Sequence, residues 1–318
     1  MKILFISPRY EGGIGGHANL LAEKLRQYGF EVTLLHVPHI PIKNLKNPSF
    51  AILGTLQALL SNKQYDIVHA FNVPSAFIMK SVKAKKKVLS IHGIYAEQVE
   101  SLHSSSLSSI VKTAEPKVLK WADKITTDSL YVKSAYKEKM NLELELLPAP
   151  IDTTKFDAIP EVSKKEDQVV YIGRDSYEKG IDILKKIESR INGTVSYCTN
   201  VSWKEAMTVL KSSSLLVVPS RMESIPWVIK EAFYLRIPVI ATKVGGVPEI
   251  VEDNVTGMLV PPNDPDVLLN TINSLLNDKK LAKKLSDNAY EYCVKKMTYD
   301  ALLLEYVKFY ENLLQMKS

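Results

Sequence analysis

The chain has 318 residues, of which 46% are hydrophobic and 24% are charged, so we expect a globular protein of two domains. Its formal net charge of +6 suits an anionic ligand such as a nucleotide without requiring nucleic acid. The two cysteines, Cys198 and Cys293, have no metal-ligand spacing, which favours a reducing compartment such as the cytoplasm. Residues 1–7 lack the features of a signal peptide, and no apolar run reaches the length of a membrane span.

Apolar runs alternate with amphipathic stretches along the first half of the chain. Strands are predicted at residues 3–6, 31–37, 66–70, 88–91, 124–128 and 144–147. Helices are predicted after His17, at residues 50–60, 74–83 and 111–121, and after Ser129, which suits an N-cap. The serine-rich stretch 100–109 is predicted to be a loop or a short helix. This alternation predicts an α/β domain with a parallel sheet.

A glycine-rich stretch joins the first predicted strand to the first predicted helix. Glycines at such a turn let the backbone approach a ligand closely, so Gly13, Gly15 and Gly16 are candidate ligand-binding residues. Their spacing does not match the dinucleotide-binding fingerprint. His17 follows directly, and for this histidine a packing role is favoured over ligand contact.

His92 directly follows the strand predicted at 88–91. Because open α/β sheets place their ligands at the carboxyl ends of strands, ligand contact is favoured over a histidine satisfied by nearby backbone. Five lysines precede the same strand: Lys80, Lys83, Lys85, Lys86 and Lys87. A solvated connection is the favoured interpretation of this run, and contact with anionic lipid headgroups is the alternative.

The second half begins after a polar linker at residues 157–168. Strands are predicted at residues 169–173, 195–199, 215–218 and 238–241. Helices are predicted at residues 181–188, 203–210, 226–235, from Asp264, at 279–296 and at 299–314. This half therefore repeats the α/β organisation of the first.

Two cations share the loop that follows the strand at 169–173. Arg174 can bind two phosphate oxygens side by side, and Lys179 supplies a point charge. The pair predicts a diphosphate-binding loop, with a solvated basic loop as the alternative.

The stretch 215–262 reads as strand, loop, helix, strand and glycine-containing loop. Glu223 lies just before the helix and Glu231 in its second turn, while the helix N-terminus offers N–H groups to a phosphate. Carboxylates beside a phosphate site suit hydroxyl groups, so the combination predicts a nucleotide-sugar site. Either glutamate alone is equally consistent with an ordinary surface charge.

Asp264 and Asp266 have the D-x-D form of a metal-binding motif. Here Pro265 lies between them, and acidic residues suit the first turn of a helix. A helix start is therefore favoured over metal binding.

Four motifs together resemble a known family. They are GRDSYEKG (173–180), PSRMESIPWVIKEA (219–232), PVIATKVGGVPEIV (238–251) and TGMLVPPNDP (256–265). They are similar to the signature of the retaining, metal-independent group 1 glycosyltransferases of family 4, which have the GT-B fold. Ile225 and Pro226 stand where many members have Phe-Gly. The resemblance implies two Rossmann-like domains facing each other across a cleft, here 1–156 and 157–298, with a terminal helix at 299–318 that packs back on the first.

The resemblance also implies roles for individual residues. Arg174 and Lys179 would neutralise the diphosphate of a UDP- or GDP-sugar without a metal, Glu223 would hold hydroxyls of the transferred sugar, and His92 would lie beside that sugar. Glu231 would accept from the ribose, and backbone at Asn200 and Val201 would meet the base. The remaining donor contacts are expected at Gly13, Gly15, Gly16, Gly173, Ser224, Ile225, Pro226 and Trp227.

The acceptor would be a glycan, a lipid-linked sugar or a small molecule, and peripheral membrane contact through residues 80–87 is the further partner considered. Three other functions share this outline: a nucleotide-sugar epimerase, a non-catalytic partner subunit and a two-domain solute-binding protein. The presence of all the site residues argues against the second, and the absence of an export signal against the third.

Overall fold

The computed structural model describes residues 1–8, 13–37, 46–94 and 114–315, which form two units. The first unit comprises Met1–Ala149 and Leu302–Ser318, and the second comprises Pro150–Ala301. The loop predicted at 100–109 lies outside the described residues.

Six parallel strands form the sheet of the first unit, in the order β2-β1-β3-β4-β5-β6. They are β1 (Lys2–Ile6), β2 (Glu31–Leu35), β3 (Tyr65–Ala70), β4 (Ala84–Ile91), β5 (Lys124–Thr127) and β6 (Glu145–Leu146). The helices are α1 (Gly13–Gln27), α2 (Lys46–Leu60), α3 (Val73–Ser81), α4 (114–119), α5 (Leu130–Met140) and, from Leu302 on, α12 (Tyr299–Gln315). The apolar run of β1 is buried, as expected for a strand covered on both faces.

Two elements of the first unit begin earlier than predicted. α1 begins at Gly13, so Gly15 and Gly16 lie in its first turn rather than in a loop before it. β4 begins at Ala84 because its backbone pairs with β3 from that residue on. Residues 85–87 therefore lie within a strand and not in a solvated connection.

Five parallel strands form the sheet of the second unit, in the order β11-β10-β9-β7-β8. They are β7 (Gln168–Ile172), β8 (Thr194–Cys198), β9 (Leu215–Val218), β10 (Val239–Thr242) and β11 (Met258–Val260). The helices are α6 (Ile181–Ile187), α7 (Trp203–Ser212), α8 (Trp227–Tyr234), α9 (Val247–Ile250), α10 (Pro265–Asn277) and α11 (Lys279–Lys296).

The core of the second unit lies on both faces of its sheet. Along β9, Leu215 and Val217 pack in one cluster, whereas Leu216 and Val218 pack in the other. Because successive side chains of a strand point to opposite faces, a strand covered on both sides must be apolar throughout. This explains why the strands of this unit read as unbroken apolar runs.

Two tyrosines of α12 bind two histidines of the first unit. The Tyr310 hydroxyl is hydrogen-bonded to Nδ1 of His69 at 2.7 Å, and the Tyr306 hydroxyl lies 3.2 Å from Nε2 of His17. Burial lowers the pKa of His69 well below its usual value, so its ring is neutral at neutral pH. The terminal helix thus packs on the first unit, as predicted.

Candidate active site

The strand order of the second sheet brings two predicted loops together. β8 lies on one side of β7 and β9 on the other, so the loops that follow β7 and β9 leave the sheet side by side. Open parallel sheets bind ligands at such a switch point, outside the carboxyl ends of the strands. Arg174 and Lys179 follow β7, and Glu223 follows β9.

Lys179 and Glu223 meet at this switch point. The Lys179 ammonium donates to Oε1 of Glu223 at 2.7 Å, and the Ser220 hydroxyl donates to the same oxygen at 2.8 Å. The Glu223 side chain is only 8% exposed, so it is not a solvated loop charge. The three residues, Lys179, Ser220 and Glu223, form what we call the switch-point cluster.

Arg174 lies on the same loop and has a different carboxylate partner. Its Nη2 is 2.9 Å from Oε1 of Glu178, while its side chain remains 58% exposed. The Tyr171 hydroxyl donates to the Arg174 carbonyl at 2.6 Å and holds the loop backbone. Burial, together with the nearby carboxylates, raises the pKa of Tyr171, so its hydroxyl remains a donor at neutral pH.

Arg221 ties the two loops to each other and was missed in the sequence. Its Nη1 and Nη2 donate to the two carboxylate oxygens of Asp182, each at 2.7 Å, and Nη1 also donates to the Tyr177 carbonyl at 2.7 Å. The Arg221 backbone N–H donates to the Glu178 carbonyl at 2.8 Å. Its guanidinium lowers the pKa of Asp182, as expected for a carboxylate in a bidentate pair.

Two glycines allow the loops to approach closely. Gly180 has φ of +65°, and a Cβ atom there would lie 2.0 Å from the Pro219 carbonyl oxygen. Gly245 has φ of +50°, and a Cβ atom there would lie 1.8 Å from the Glu223 carbonyl oxygen. No other residue fits either position without a shift of backbone, so both glycines shape the site.

Glu231 lies in α8 and is bound by Trp203, which the sequence did not indicate. Nε1 of Trp203 donates to Oε1 of Glu231 at 2.7 Å. Burial raises the pKa of Glu231, although the hydrogen bond from Trp203 and the nearby charge of Lys155 act in the opposite direction. The Glu231 carboxylate is therefore partly buried and fixed by a hydrogen bond, and it is not an ordinary surface charge.

The start of α8 differs by one residue from the prediction. Pro226 has φ of −71° and ψ of 119°, so this extended residue is the N-cap and Trp227 is the first helical residue. Ile225 is buried in the core, which leaves its backbone rather than its side chain for a ligand. The Ser224 hydroxyl is buried and has no hydrogen-bond partner among the described residues.

Three further predicted donor contacts follow β7 and β8. The Gly173 N–H donates to the Cys198 carbonyl at 3.2 Å, which keeps the two strand ends together. Asn200 adopts a left-handed conformation with φ of +58°, and Val201 is exposed. The turn after β8 thus lies at the carboxyl edge of the sheet, next to the loop of Arg174.

The predicted residues of the first glycine-rich stretch lie in α1. Gly13 has φ of +44°, and Gly15 and Gly16 complete the first helical turn. His17 is buried between Phe71 and Tyr306, an arrangement that favours its packing role.

His92 is paired with Asp128, a residue that the sequence analysis did not single out. Each follows the end of a neighbouring parallel strand, β4 or β5, and Nδ1 of His92 lies 3.3 Å from Oδ2 of Asp128. Their side chains are 10% and 3% exposed. The two atoms lie within ion-pair distance, but they are not aligned as a hydrogen bond requires. A carboxylate at the end of the adjacent strand was the signal that could have identified Asp128.

The lysine run at 80–87 makes contacts within the protein. The Lys85 ammonium donates to Asp66 at 2.7 Å, and the Lys87 ammonium donates to the Lys80 carbonyl at 2.7 Å. Lys86 is buried, and Lys80 lies over the ring of Trp121. The positions of Lys85, Lys86 and Lys87 follow from the early start of β4, whereas Lys80 belongs to α3.

The D-x-D motif begins a helix, as predicted. Oδ1 of Asp264 accepts from the Val267 N–H at 3.0 Å, and Asp266 accepts from Arg190 at 3.0 Å. Within the described ranges, no group of three His, Cys, Asp or Glu side chains is arranged to hold a metal ion. Nor is any helix in the described part of the chain both long and apolar enough to cross a bilayer.

Comparison with known proteins identifies the family of the chain. The model of Glycosyltransferase Family 4 matches residues 11–155, and that of Glycosyl transferases group 1 matches residues 185–292. An uncharacterized glycosyltransferase of Methanocaldococcus jannaschii is 23% identical over 99% of this chain and 99% of its own. These matches give no support to the epimerase alternative.

Solved structures share the whole fold. Sucrose-phosphate synthase of Thermosynechococcus elongatus has a TM-score of 0.82 at 20% identity and covers 99% of both chains. Anabaena HepE, solved in complex with UDP-glucose, has a TM-score of 0.76 at 16% identity and covers 98% of this chain and 100% of its own. The predicted GT-B fold is confirmed, and the chain belongs to the group 1 glycosyltransferases, enzymes that use nucleotide-sugar donors.

Proposed function

We propose that this protein is a retaining, metal-independent glycosyltransferase whose donor site lies at the carboxyl edge of the second sheet. The switch-point cluster is the observation that carries the proposal. It holds a cation and a mostly buried carboxylate within 2.7 Å of each other at the place where parallel sheets bind ligands. A nucleotide-sugar requires both, since its diphosphate attracts cations and its hydroxyls donate to carboxylates.

Arg174 and Lys179 would bind the diphosphate. As the glycosidic bond breaks, negative charge grows on the leaving diphosphate, and two fixed cations stabilise that charge without reorganisation. They supply the charge that a divalent metal supplies elsewhere, which is why a metal is not required in the proposal. The exposed head of Arg174 is accessible to such a ligand.

Glu223 would hold hydroxyls of the transferred sugar. A carboxylate can accept about four hydrogen bonds, and Lys179 and Ser220 provide two of them, both to Oε1. Backbone at residues 224–227, where α8 begins, would bind the remaining polar groups of the sugar and phosphate. Glu231 would accept from the ribose, and the turn at 200–201 would meet the base.

In the first unit, the glycines of the first α1 turn and His92 are the proposed contacts with the sugar and its acceptor. The acceptor is a glycan, a lipid-linked sugar or a small molecule. HepE was solved with UDP-glucose, so UDP is the first nucleotide to test, followed by GDP.

The proposal is tested by calorimetry with UDP, GDP, ADP and their common sugar conjugates, each with and without EDTA. Tight binding of one nucleoside diphosphate that EDTA does not change would support a metal-free donor site and identify the base. Loss of binding in EDTA would contradict metal independence. Product analysis with the bound donor then separates transfer to an acceptor from interconversion of the free nucleotide-sugar.

Glu231→Gln is expected to weaken donor binding by about tenfold, because an amide accepts from a ribose hydroxyl less strongly than a carboxylate. The Trp203 hydrogen bond can be retained by the amide oxygen, so the fold is preserved. Calorimetry with the donor nucleotide measures the change, and Glu249→Gln on α9 serves as the control. Unchanged affinity would place the ribose elsewhere.

The same variant has a defined effect on stability. Because burial raises the pKa of Glu231, the folded state favours the protonated form of this side chain. The stability that results is fully present below the pKa of Glu231 in the unfolded chain. It is lost as the pH rises from that pKa through the pKa in the folded protein. The stability of Glu231→Gln relative to the wild type is therefore expected to be more favourable at pH 7 than at pH 4. Urea unfolding at both pH values measures the difference, and an equal difference at both would contradict the raised pKa.

Asp128→Asn is expected to lower kcat by roughly ten- to a hundredfold, because the Asp128 carboxylate lies 3.3 Å from the His92 ring and would hold the angle of that ring toward the sugar. The donor KM should remain unchanged. Asp66→Asn is the matched control, because Asp66 binds Lys85 at the opposite edge of the same sheet. A fall in stability with an unchanged kcat would indicate a structural role only.

A further inference from the structure

Helix α2 is apolar on two faces, although a surface helix usually presents one. Its inner face packs Phe50, Gly54 and Ala58 against the first unit, and a Cβ atom at Gly54 would lie 2.2 Å from Ile78. Its outer face presents five large apolar side chains to solvent, from 39% exposure at Leu53 to 85% at Leu60. We call this outer row the α2 apolar stripe: Ile52, Leu53, Leu56, Leu59 and Leu60. Exposed apolar rows of this extent mark interaction surfaces.

The sequence around the stripe is strongly basic. Residues 31–94 contain eight lysines and two acidic residues, Asp66 and Glu31, and Glu31 lies 3.7 Å from the Lys2 ammonium. Asp66 is itself bound by Lys85. No acidic residue lies on α2, so the stripe has no carboxylate on its own helix that would repel an anionic surface.

A cavity of about 310 Å³ lies beside the last turns of α2. No carboxylate lines it, and its polar lining residues are Lys63, Lys83, Ser61, Thr33, Tyr65, His36 and Gln57. Lys63 precedes β3 and Lys83 precedes β4, so both lie at the amino edge of the first sheet, opposite His92. Within the described ranges neither lysine has a carboxylate within ion-pair distance. Such a cavity suits a phosphate group.

We propose that this face binds the surface of a bilayer containing anionic phospholipid. The α2 apolar stripe would lie at the boundary between headgroups and acyl chains, and Lys63 and Lys83 would bind lipid phosphates beside it. An apolar helix face with flanking lysines is the arrangement of helices that lie in a membrane interface. The lysine run at 80–87 contributes less to lipid binding than its sequence indicates, because the side chains of Lys80, Lys85 and Lys87 make contacts within the protein.

The charges favour a bilayer over a second copy of this chain. Two copies joined by this face would place two basic surfaces against each other, whereas an anionic bilayer complements them. The proposal goes beyond sugar transfer and does not depend on it, because none of the residues involved belongs to the proposed donor site.

The test is co-sedimentation of the full chain with vesicles of 30% phosphatidylglycerol and 70% phosphatidylcholine, compared with phosphatidylcholine alone. Binding is expected with the anionic vesicles only, and it should weaken as salt rises. Leu56→Gln/Leu60→Gln should weaken it by about tenfold or more, because two buried apolar side chains are lost from the interface. Lys63→Gln should weaken it by about fivefold, the contribution of one lysine near an anionic surface.

Matched controls are available on α12, outside the stripe. Leu304 is an exposed leucine and Lys308 an exposed lysine, so Leu304→Gln and Lys308→Gln change the same chemistry elsewhere. Equal losses in these controls, or no binding to anionic vesicles, would overturn the proposal. So would a dimer in sedimentation velocity that Leu56→Gln/Leu60→Gln dissociates, since the stripe would then bind a second copy. Calorimetry with the donor nucleotide on the same samples keeps a failure of membrane binding distinct from a failure of the transferase site.

Discussion

Lys179→Ala is expected to lower kcat/KM for the nucleotide-sugar by about 100- to 1,000-fold, the usual loss when one preorganised group that stabilises transition-state charge is removed. The ammonium is fixed by Glu223 at 2.7 Å, so it needs little reorganisation to act on the diphosphate. Arg174→Ala should have a smaller effect, because its side chain is more exposed and water screens its charge. Steady-state kinetics and donor calorimetry measure both.

Loss of Lys179 also removes the ion-pair partner of Glu223. A mostly buried carboxylate without its cation destabilises the fold. The double variant Lys179→Ala/Glu223→Gln removes that unpaired charge, and it should recover stability without recovering activity. Lys283→Ala is the control, since Lys283 pairs with Asp287 on the surface of α11. If Arg174→Ala and Lys179→Ala leave affinity and turnover unchanged, the diphosphate does not bind here.

Gly245→Ala is expected to reduce the free energy of unfolding by about 3 kcal/mol or more. Part of this loss, about 1 kcal/mol, comes from the left-handed φ of +50°. The rest comes from a Cβ atom 1.8 Å from the Glu223 carbonyl oxygen, which only a backbone shift can relieve. Because that shift moves the Glu223 loop, donor affinity should fall together with stability.

Gly29→Ala isolates the contribution of the close approach. Gly29 has φ of +101°, and a Cβ atom there would meet no atom within 4 Å, so alanine at this position has only the conformational cost. The φ of Gly29 lies further from the left-handed minimum than the φ of Gly245, so the conformational cost of alanine should be at least as large at Gly29. A larger loss of stability at Gly245 then comes from the close contact. Urea unfolding of both variants measures the difference. Equal losses would show that the contact with the Glu223 loop is not what requires glycine.

Local sequence patterns predicted most of the strands and helices, and they singled out Arg174, Lys179 and Glu223 as candidate site residues. The run Leu215–Val218 must be a buried strand, because four consecutive apolar residues cannot leave one face in water. Asp264 and Ser129 cap helices through bonds to residues three positions away, so they can be read locally. The spacing of Arg174 and Lys179 is likewise local, and it predicted which cations share one loop.

The partners of those residues depend on tertiary structure. Glu231 is bound by Trp203 and His92 by Asp128, at separations of 28 and 36 residues, and only the order of the strands brings such pairs together. No local pattern records which strands are neighbours, so Trp203 and Asp128 were not predicted.

Tertiary packing also decided which faces of the elements are covered. The apolar pattern of α2 predicts a helix, but only packing against α3 shows that Gly54 faces inward and Leu60 outward. The lysines at 85–87 read as a solvated connection, yet backbone pairing with β3 places them in β4. Sequence patterns record the local conformational preferences of the chain, whereas burial and long-range pairing depend on residues far away, and these set the geometry of the site.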